Sequence, residues 1–224
     1  MTSPFDLDGP RFGPASGQAP QQLVVLLHGV GADGNDLIAL APYFAQALPD
    51  AAFVSPHGPY PFDMAPVGRQ WFSLQERTPE AMLAGVRAAA PILEAFLEAE
   101  LARHGLAAER LALIGFSQGT MMSLYLGLRR TPAVAGIVGY SGALLAPDLL
   151  PEEIAARPPV LLIHGDSDEM VPPQSLPAAV AALEANRVPV FQELRPGLGH
   201  SIDERGIQLA MAFLAEVFGT VPQD

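Results

Sequence analysis

The sequence predicts an α/β fold in which a mostly parallel central sheet carries helices on both faces. Three observations lead there. Residues 23–27, 52–54, 111–114, 134–140 and 159–163 are short, nearly unbroken apolar runs, the pattern of strands buried on both faces. Helical patterns lie between them, so strand and helix alternate along the chain. No internal repeat, low-complexity tract or linker divides the 224 residues, which are expected to form one domain, 1–224.

Residues 1–21 are rich in Gly, Pro and Gln and read as loop, with a short edge strand near Arg11 and Phe12. Residues 23–27 form the first buried strand, and His28-Gly29-Val30-Gly31-Ala32-Asp33-Gly34 is a glycine-rich loop after it. A helix over 36–48 and a strand over 52–54 follow. Residues 57–74 form a proline-rich loop, and a loop of that length inside a compact domain is usually functional. Thr78 and Pro79 open a long helix that reaches Gly105, with a bend expected at Pro91. After the strand at 111–114 and its helix come strands at 134–140 and 159–163, then a helix over 173–186. Residues 188–194 carry Val and Phe at strand spacing, and 202–218 is an amphipathic helix.

Composition narrows the function classes. With 12 basic against 24 acidic residues the net charge is −12, which excludes a basic surface for nucleic acid. Half the residues are hydrophobic, enough for a full core, yet no run has the length of a membrane span. The start, Met1-Thr2-Ser3-Pro4-Phe5-Asp6, has neither the basic nor the apolar segment of a signal peptide. The chain has no cysteine, so thiolate nucleophiles and disulfides are ruled out, and a cytoplasmic location is expected.

The chemistry centres on Gly115-Phe116-Ser117-Gln118-Gly119, a G-x-S-x-G sequence between a strand and a helix. A sharp turn there needs small neighbours, lifts the serine oxygen above the strand end and aims the helix N–H groups at developing negative charge. A serine hydroxyl is a poor nucleophile at neutral pH. It needs an imidazole to take its proton and a carboxylate to orient that imidazole. Sites in open parallel sheets form past the carboxyl ends of strands. Past two of those ends lie His164-Gly165-Asp166-Ser167-Asp168 and Arg195-Pro196-Gly197-Leu198-Gly199-His200. The candidate roles are therefore Ser117 as nucleophile, His200 as general base and acid, and Asp168 as orienting acid. Asp166 competes with Asp168, and the H-G-x-x-D-x-x-V-P pattern completed by Val171 and Pro172 favours Asp168. Ser141 lacks a second flanking glycine and reads as a turn residue. His28, His57, His104 and His164 read as structural, with no metal-ligand spacing among them.

Gly29-Val30-Gly31-Ala32-Asp33-Gly34 is formally a G-x-G-x-x-G dinucleotide fingerprint, but the acid required after the next strand is missing from Ser55-Pro56-His57-Gly58. The loop better suits an oxyanion hole, with one backbone N–H from Leu27 or its neighbours and the other from Gln118.

With these pieces in place the chain resembles the phospholipase/carboxylesterase family of α/β-hydrolases, which includes acyl-protein thioesterases. The resemblance rests on Leu27-His28-Gly29-Val30-Gly31, Pro56-His57-Gly58-Pro59, Gly68-Arg69-Gln70-Trp71-Phe72, the segment around Ser117, the segment from His164 to Pro172, and Gly199-His200. It implies the α/β-hydrolase fold with little or no lid domain, hydrolysing carboxylic esters or thioesters without cofactor or metal. It implies the triad Ser117, Asp168 and His200, oxyanion donors at Leu27 and Gln118, Trp71 beside the acyl group, and a homodimer. Two positions depart from the family pattern: Ser73, where an Asp is frequent, and Thr120, where a glycine is. Leu144, Leu145 and Met170 follow strand ends and are candidates either for an acyl channel or for the core.

The expected function is a serine carboxylesterase acting on short- to medium-chain esters through an acyl-serine intermediate. An acyl-protein thioesterase or lysophospholipase would use the same triad. A non-catalytic binding protein on this fold is the alternative from another class.

Overall fold

The computed structural model describes residues 7–220. The sequence readings of residues 1–6, including the signal-peptide question, fall outside the described residues. β1 (Arg11–Phe12) leads to β2 (Gln22–Leu27), whose six residues are all buried. α1 (Gly34–Ile38), α2 (Ala41–Ala47) and β3 (Ala51–Val54) follow. A ribbon of β4 (Tyr60–Pro61) and β5 (Arg69–Gln70) precedes the long α3 (Pro79–His104). The remaining elements are β6 (Leu111–Phe116), α4 (Gln118–Gly127), β7 (Gly136–Tyr140), α5 (Leu150–Glu153), β8 (Val160–Gly165), α6 (Ser175–Ala185), β9 (Val190–Arg195) and α7 (Glu204–Val217).

Seven strands form one sheet in the order β1-β3-β2-β6-β7-β8-β9. All neighbours are parallel except β1, which runs antiparallel to β3 with Arg11 opposite Val54. Side chains alternate between two apolar layers, as the period of a strand requires. Leu23, Val25, Leu111 and Leu113 pack towards α3, α4 and α6. Val24, Leu26, Ala112 and Ile114 pack towards α2 and α7 through Phe44 and Phe213. Each such side chain contributes about 1.5–3 kcal/mol on burial, against about 0–1 kcal/mol for an exposed ion pair, so the two layers hold the sheet.

The local signals in the sequence act as expected at several element ends. The Thr78 hydroxyl accepts from the Ala81 N–H at 3.2 Å and caps α3, while Gly105 closes it with φ 64°. Asp203 caps α7 by accepting from the Gly206 N–H at 2.8 Å. Two expectations are corrected. The helix expected over 36–48 is two helices, because Pro42 has no N–H to continue a helix but fits the first turn of α2. The loop over 57–74 contains the β4–β5 ribbon, in which Tyr60 pairs with Gln70.

Registers align the carboxyl ends of the central strands: Leu27 lies opposite Gly115, and Phe116 opposite Tyr140. Ser117, Ser141, Asp168 and His200 all follow strand ends on this one edge.

Candidate active site

Ser117 stands between β6 and α4 with φ 54° and ψ −114°, a conformation that costs a non-glycine residue about 1–3 kcal/mol. Its N–H donates to the Tyr140 carbonyl at 2.9 Å, which ties the turn to the adjacent strand. The neighbouring glycines are needed for space. A Cβ at Gly119 would collide with the Leu27 carbonyl, and one at Gly115 with the backbone of Gly119 and Thr120. The Thr120 hydroxyl lies 2.8 Å from both the Gly115 and Tyr140 carbonyls, bridging β6 and β7 under the serine.

His200 follows β9, and its Nδ1 lies 2.8 Å from Asp168 Oδ2. Its ring packs on Phe116 with centroids 4.8 Å apart. Because a carboxylate oxygen only accepts, Nδ1 carries the proton and Nε2 is free to act as a base. Asp168 is buried, and its Oδ1 accepts from the N–H groups of Met170 at 2.8 Å and Val171 at 2.9 Å. Burial by itself would raise the Asp168 pKa. The hydrogen bonds from His200, Val171 and Met170 outweigh it and hold the carboxyl below the usual carboxylate range. Asp166 is exposed and accepts from the Gly197 N–H at 2.7 Å, a turn-forming role.

Ser117, Gln118 and His200 open onto one cavity of about 860 Å³. Its walls are mainly apolar, with Leu74, Leu83, Met121, Leu144, Leu145 and Met170 among them. No hydrogen bond joins Ser117 Oγ to His200 among the described residues; such contacts are often long without substrate and tighten in the complex.

Residues 14–218 match the phospholipase/carboxylesterase family. The chain belongs to this family. Esterase YpfH of Escherichia coli K12 is 34% identical over 195 residues, covering 87% of this chain and 82% of that protein. Acyl-protein thioesterase 1 of Gibberella zeae is 27% identical, covering 85% and 88%. The crystal structure of esterase PE8 superposes with a TM-score of 0.90 at 42% identity, covering 95% of this chain and 99% of that one.

Within this phospholipase/carboxylesterase fold, two residues expected at the site lie back from the cavity. Leu27 is the last residue of β2, fully buried in the ladder and absent from the cavity wall. Gly29 and Val30 reach the cavity instead, with Gly29 packed on the Ser117 side chain. The Val30 N–H, like that of Gln118, has no acceptor among the described residues. Trp71 is also fully buried and does not line the cavity. An indole buried this deeply needs a partner for its N–H, and Nε1 donates to the His28 carbonyl at 3.0 Å. The Trp71 backbone N–H donates to Gln118 Oε1 at 2.9 Å, and Gln118 Nε2 donates to the Phe72 carbonyl at 2.8 Å. Trp71 therefore braces both loops that border the nucleophile.

Two glycine amides of this loop are already paired with neighbouring segments. Gly31 N–H donates to the Arg69 carbonyl at 2.8 Å, and Gly34 N–H to His57 Nδ1 at 3.1 Å. Those amides are not free to cradle a pyrophosphate.

Two of the histidines read as structural lie close to the site. His28 is buried. It accepts from the Gly58 N–H at Nε2 (2.8 Å), so the proton sits on Nδ1, 2.7 Å from the Gly29 carbonyl. His164 lies under Asp168, with Nε2 3.3 Å from Oδ2. The available signal was its place at the end of the strand that delivers the acid.

Burial also pushes the His28 pKa down, so the folded state favours its neutral form. A base with a lowered pKa in the fold stabilises it above the ordinary imidazole value, about 6.5, and loses that contribution as pH falls below it. Asp168 acts with the same sign at lower pH: its contribution is present above the ordinary carboxylate value, about 3.9, and disappears as pH falls towards its lowered value. The urea midpoint is expected to start falling below about pH 6.5, and His28→Gln should flatten this first decline. Urea titrations at half-unit pH intervals check it.

Proposed function

We propose that this carboxylic ester hydrolase works through Ser117, His200 and Asp168, with the backbone N–H groups of Gln118 and Val30 as oxyanion donors. The observation that carries the reading is the Asp168–His200 pair opening onto the same apolar cavity as a serine held in a strained turn. Ser117 Oγ attacks the ester carbonyl as His200 Nε2 takes its proton. The carbonyl oxygen becomes an oxyanion held by the two N–H groups. The C–O bond then breaks, and the alcohol leaves with the proton from His200. Water, deprotonated by His200, attacks the acyl-serine and releases the carboxylic acid and free Ser117. Asp168 holds the Nδ1–H tautomer and stabilises the transient imidazolium. Serine, imidazole and backbone amides supply this chemistry, so the reading requires no cofactor or metal.

A fluorophosphonate probe followed by peptide mass spectrometry tests the assignment. Labelling confined to Ser117 is expected; labelling elsewhere, or none in protein that hydrolyses esters, overturns it.

The cavity sets the acyl preference. Burying one methylene is worth about 0.8 kcal/mol, so kcat/KM should rise by up to about fourfold per added methylene until the cavity is filled. Rates on p-nitrophenyl esters of increasing length check this, and Leu144→Trp is expected to move the optimum to shorter chains.

The size of the cavity and the exposure of Met170 at its wall favour a second reading, hydrolysis of S-acylated peptides or lysophospholipids by the same residues. A higher kcat/KM on an S-acyl peptide than on an ester of equal chain length would select it. The reading also takes residues 1–224 as one domain, places the protein in the cytoplasm and expects a homodimer, as the resemblance implies. Among the described residues no helix is long and apolar enough to cross a membrane.

A further inference from the structure

His164 belongs to none of the roles above, yet it lies against the carboxylate on which they depend. It ends β8 with its side chain buried, and its Nε2 is 3.0 Å from the Val171 carbonyl and 3.3 Å from Asp168 Oδ2. A carbonyl only accepts, so Nε2 carries the proton and donates to the Val171 carbonyl, with the same N–H edge 3.3 Å from Asp168 Oδ2. Asp168 Oδ2 thus accepts from His200 Nδ1 at 2.8 Å and has the polar edge of His164 beside it, Nε2 lying 3.3 Å away. Asp168 Oδ1 is held by the Met170 and Val171 amides.

We propose that His164 is a positioning residue for the catalytic acid, its Nε2–H edge lying beside Asp168 Oδ2 as a second polar contact that fixes the carboxylate plane and limits how strongly it pulls on His200. The inference rests on the triad reading above. The physical argument has two parts. Held only by the amides at Oδ1, the carboxylate can still rotate Oδ2 out of the His200 ring plane, and a misdirected imidazole loses its alignment with Ser117. A ring anchored on the Val171 carbonyl, with its N–H edge 3.3 Å from Oδ2, closes that freedom. It also takes up part of the Oδ2 charge, since hydrogen bonds to an ionised carboxylate are strong in a buried site. Without it, more of that charge faces His200 and favours the imidazolium form.

The other charged groups of the surrounding elements are few. Asp166 and Glu169 of the same loop are exposed, and Glu193 and Asp203 are paired with Arg195. Asp36, Arg77, Glu80 and Asp148 line the cavity onto which His200 opens. β7 and α4 add no acidic or basic side chain beside the pair. His164 is thus the polar side chain that meets both the Val171 carbonyl and the Asp168 carboxylate.

Three variants separate this role from packing. His164→Gln can place an amide N–H where Nε2 was, His164→Asn is too short to reach Oδ2, and His164→Leu has no donor. Each is measured for kcat and KM on a p-nitrophenyl ester across pH, with thermal unfolding as a check on folding. Loss of this polar contact with the carboxylate should lower kcat by about 10- to 100-fold in the Asn and Leu variants with KM within a few fold. The acid limb of kcat/KM should move to higher pH, and Gln should restore both rate and profile. If Leu fails to fold, the contrast between Asn and Gln carries the test. Folded Asn and Leu variants with wild-type rates overturn the proposal. So does an equal loss in all three with an unmoved pH profile, which would mark a packing role. Failure of the triad reading looks different: the wild type itself would be inactive, or Ser117→Ala would keep its rate.

Discussion

Ser117→Ala is expected to lower kcat on p-nitrophenyl esters by up to about 10⁶-fold, the scale found when a triad nucleophile is removed. The oxyanion donors and the cavity survive the change, so a residual rate above the water reaction, about 10³- to 10⁴-fold, should persist. KM should change little, because the hydroxyl makes no ground-state contact that the cavity walls do not outweigh. The variant should also fold. Alanine keeps the Cβ that the turn already accommodates at φ 54°, and the Ser117 N–H bond to Tyr140 is backbone. The strain can be read separately with Ser117→Gly. Glycine tolerates this conformation, and relief of about 1–3 kcal/mol, less about 0.5–1 kcal/mol of added chain entropy, should raise Tm by a few degrees. Steady-state kinetics and calorimetry on the two variants check both statements. A Ser117→Ala enzyme within tenfold of wild type would remove Ser117 from the mechanism.

Trp71→Ala is expected to have the largest effect on stability, about 3–5 kcal/mol, the range for truncating a fully buried large aromatic side chain. Trp71→Phe is the more informative change. It keeps most of the buried ring but deletes the N–H that the His28 carbonyl accepts at 3.0 Å, leaving that buried oxygen without the indole at a cost of about 1–3 kcal/mol. His28 immediately precedes Gly29 and Val30, so a turned His28–Gly29 peptide would misaim the Val30 N–H. The expected signature is a lower kcat with KM for short esters unchanged, because the ring does not line the cavity. If KM rises and kcat holds, Trp71 contacts substrate after all. Urea denaturation and steady-state kinetics on both variants separate the outcomes.

These two residues also show how far the sequence could be read. Ser117 was legible as a candidate because the features that mark it are local: a strand, two glycines and a helix start within a few residues. Asp168 and His200 were legible for a related reason. A parallel sheet brings strand ends to one edge, so polar residues just past those ends are brought together by topology. Trp71 was misplaced because its motif lies beside the serine loop whether the ring faces substrate or core. Only packing decides that, and the need to satisfy the indole N–H turned it to His28. Leu27 was misplaced by a few residues for a similar reason. An apolar run does not show where its last ladder bond falls, and Leu27 is still in register with Gly115.

The sequence by itself determined the α/β class, the succession of strands and helices along the chain, the ends of the long helix at Thr78 and Gly105, and the three residues that follow strand ends. Each follows from local periodicity, caps or turn chemistry, which act over a few residues. Tertiary structure alone decided which amides are left unpaired beside Ser117, that Trp71 lies behind the cavity wall, and that His164 packs against the carboxylate that His200 meets. These facts depend on contacts between residues far apart in the chain, such as Trp71 with His28 and Gln118, and His200 with Asp168. A one-dimensional pattern carries no direction for a side chain across such a distance; close packing and the demand that buried polar groups find partners supply it.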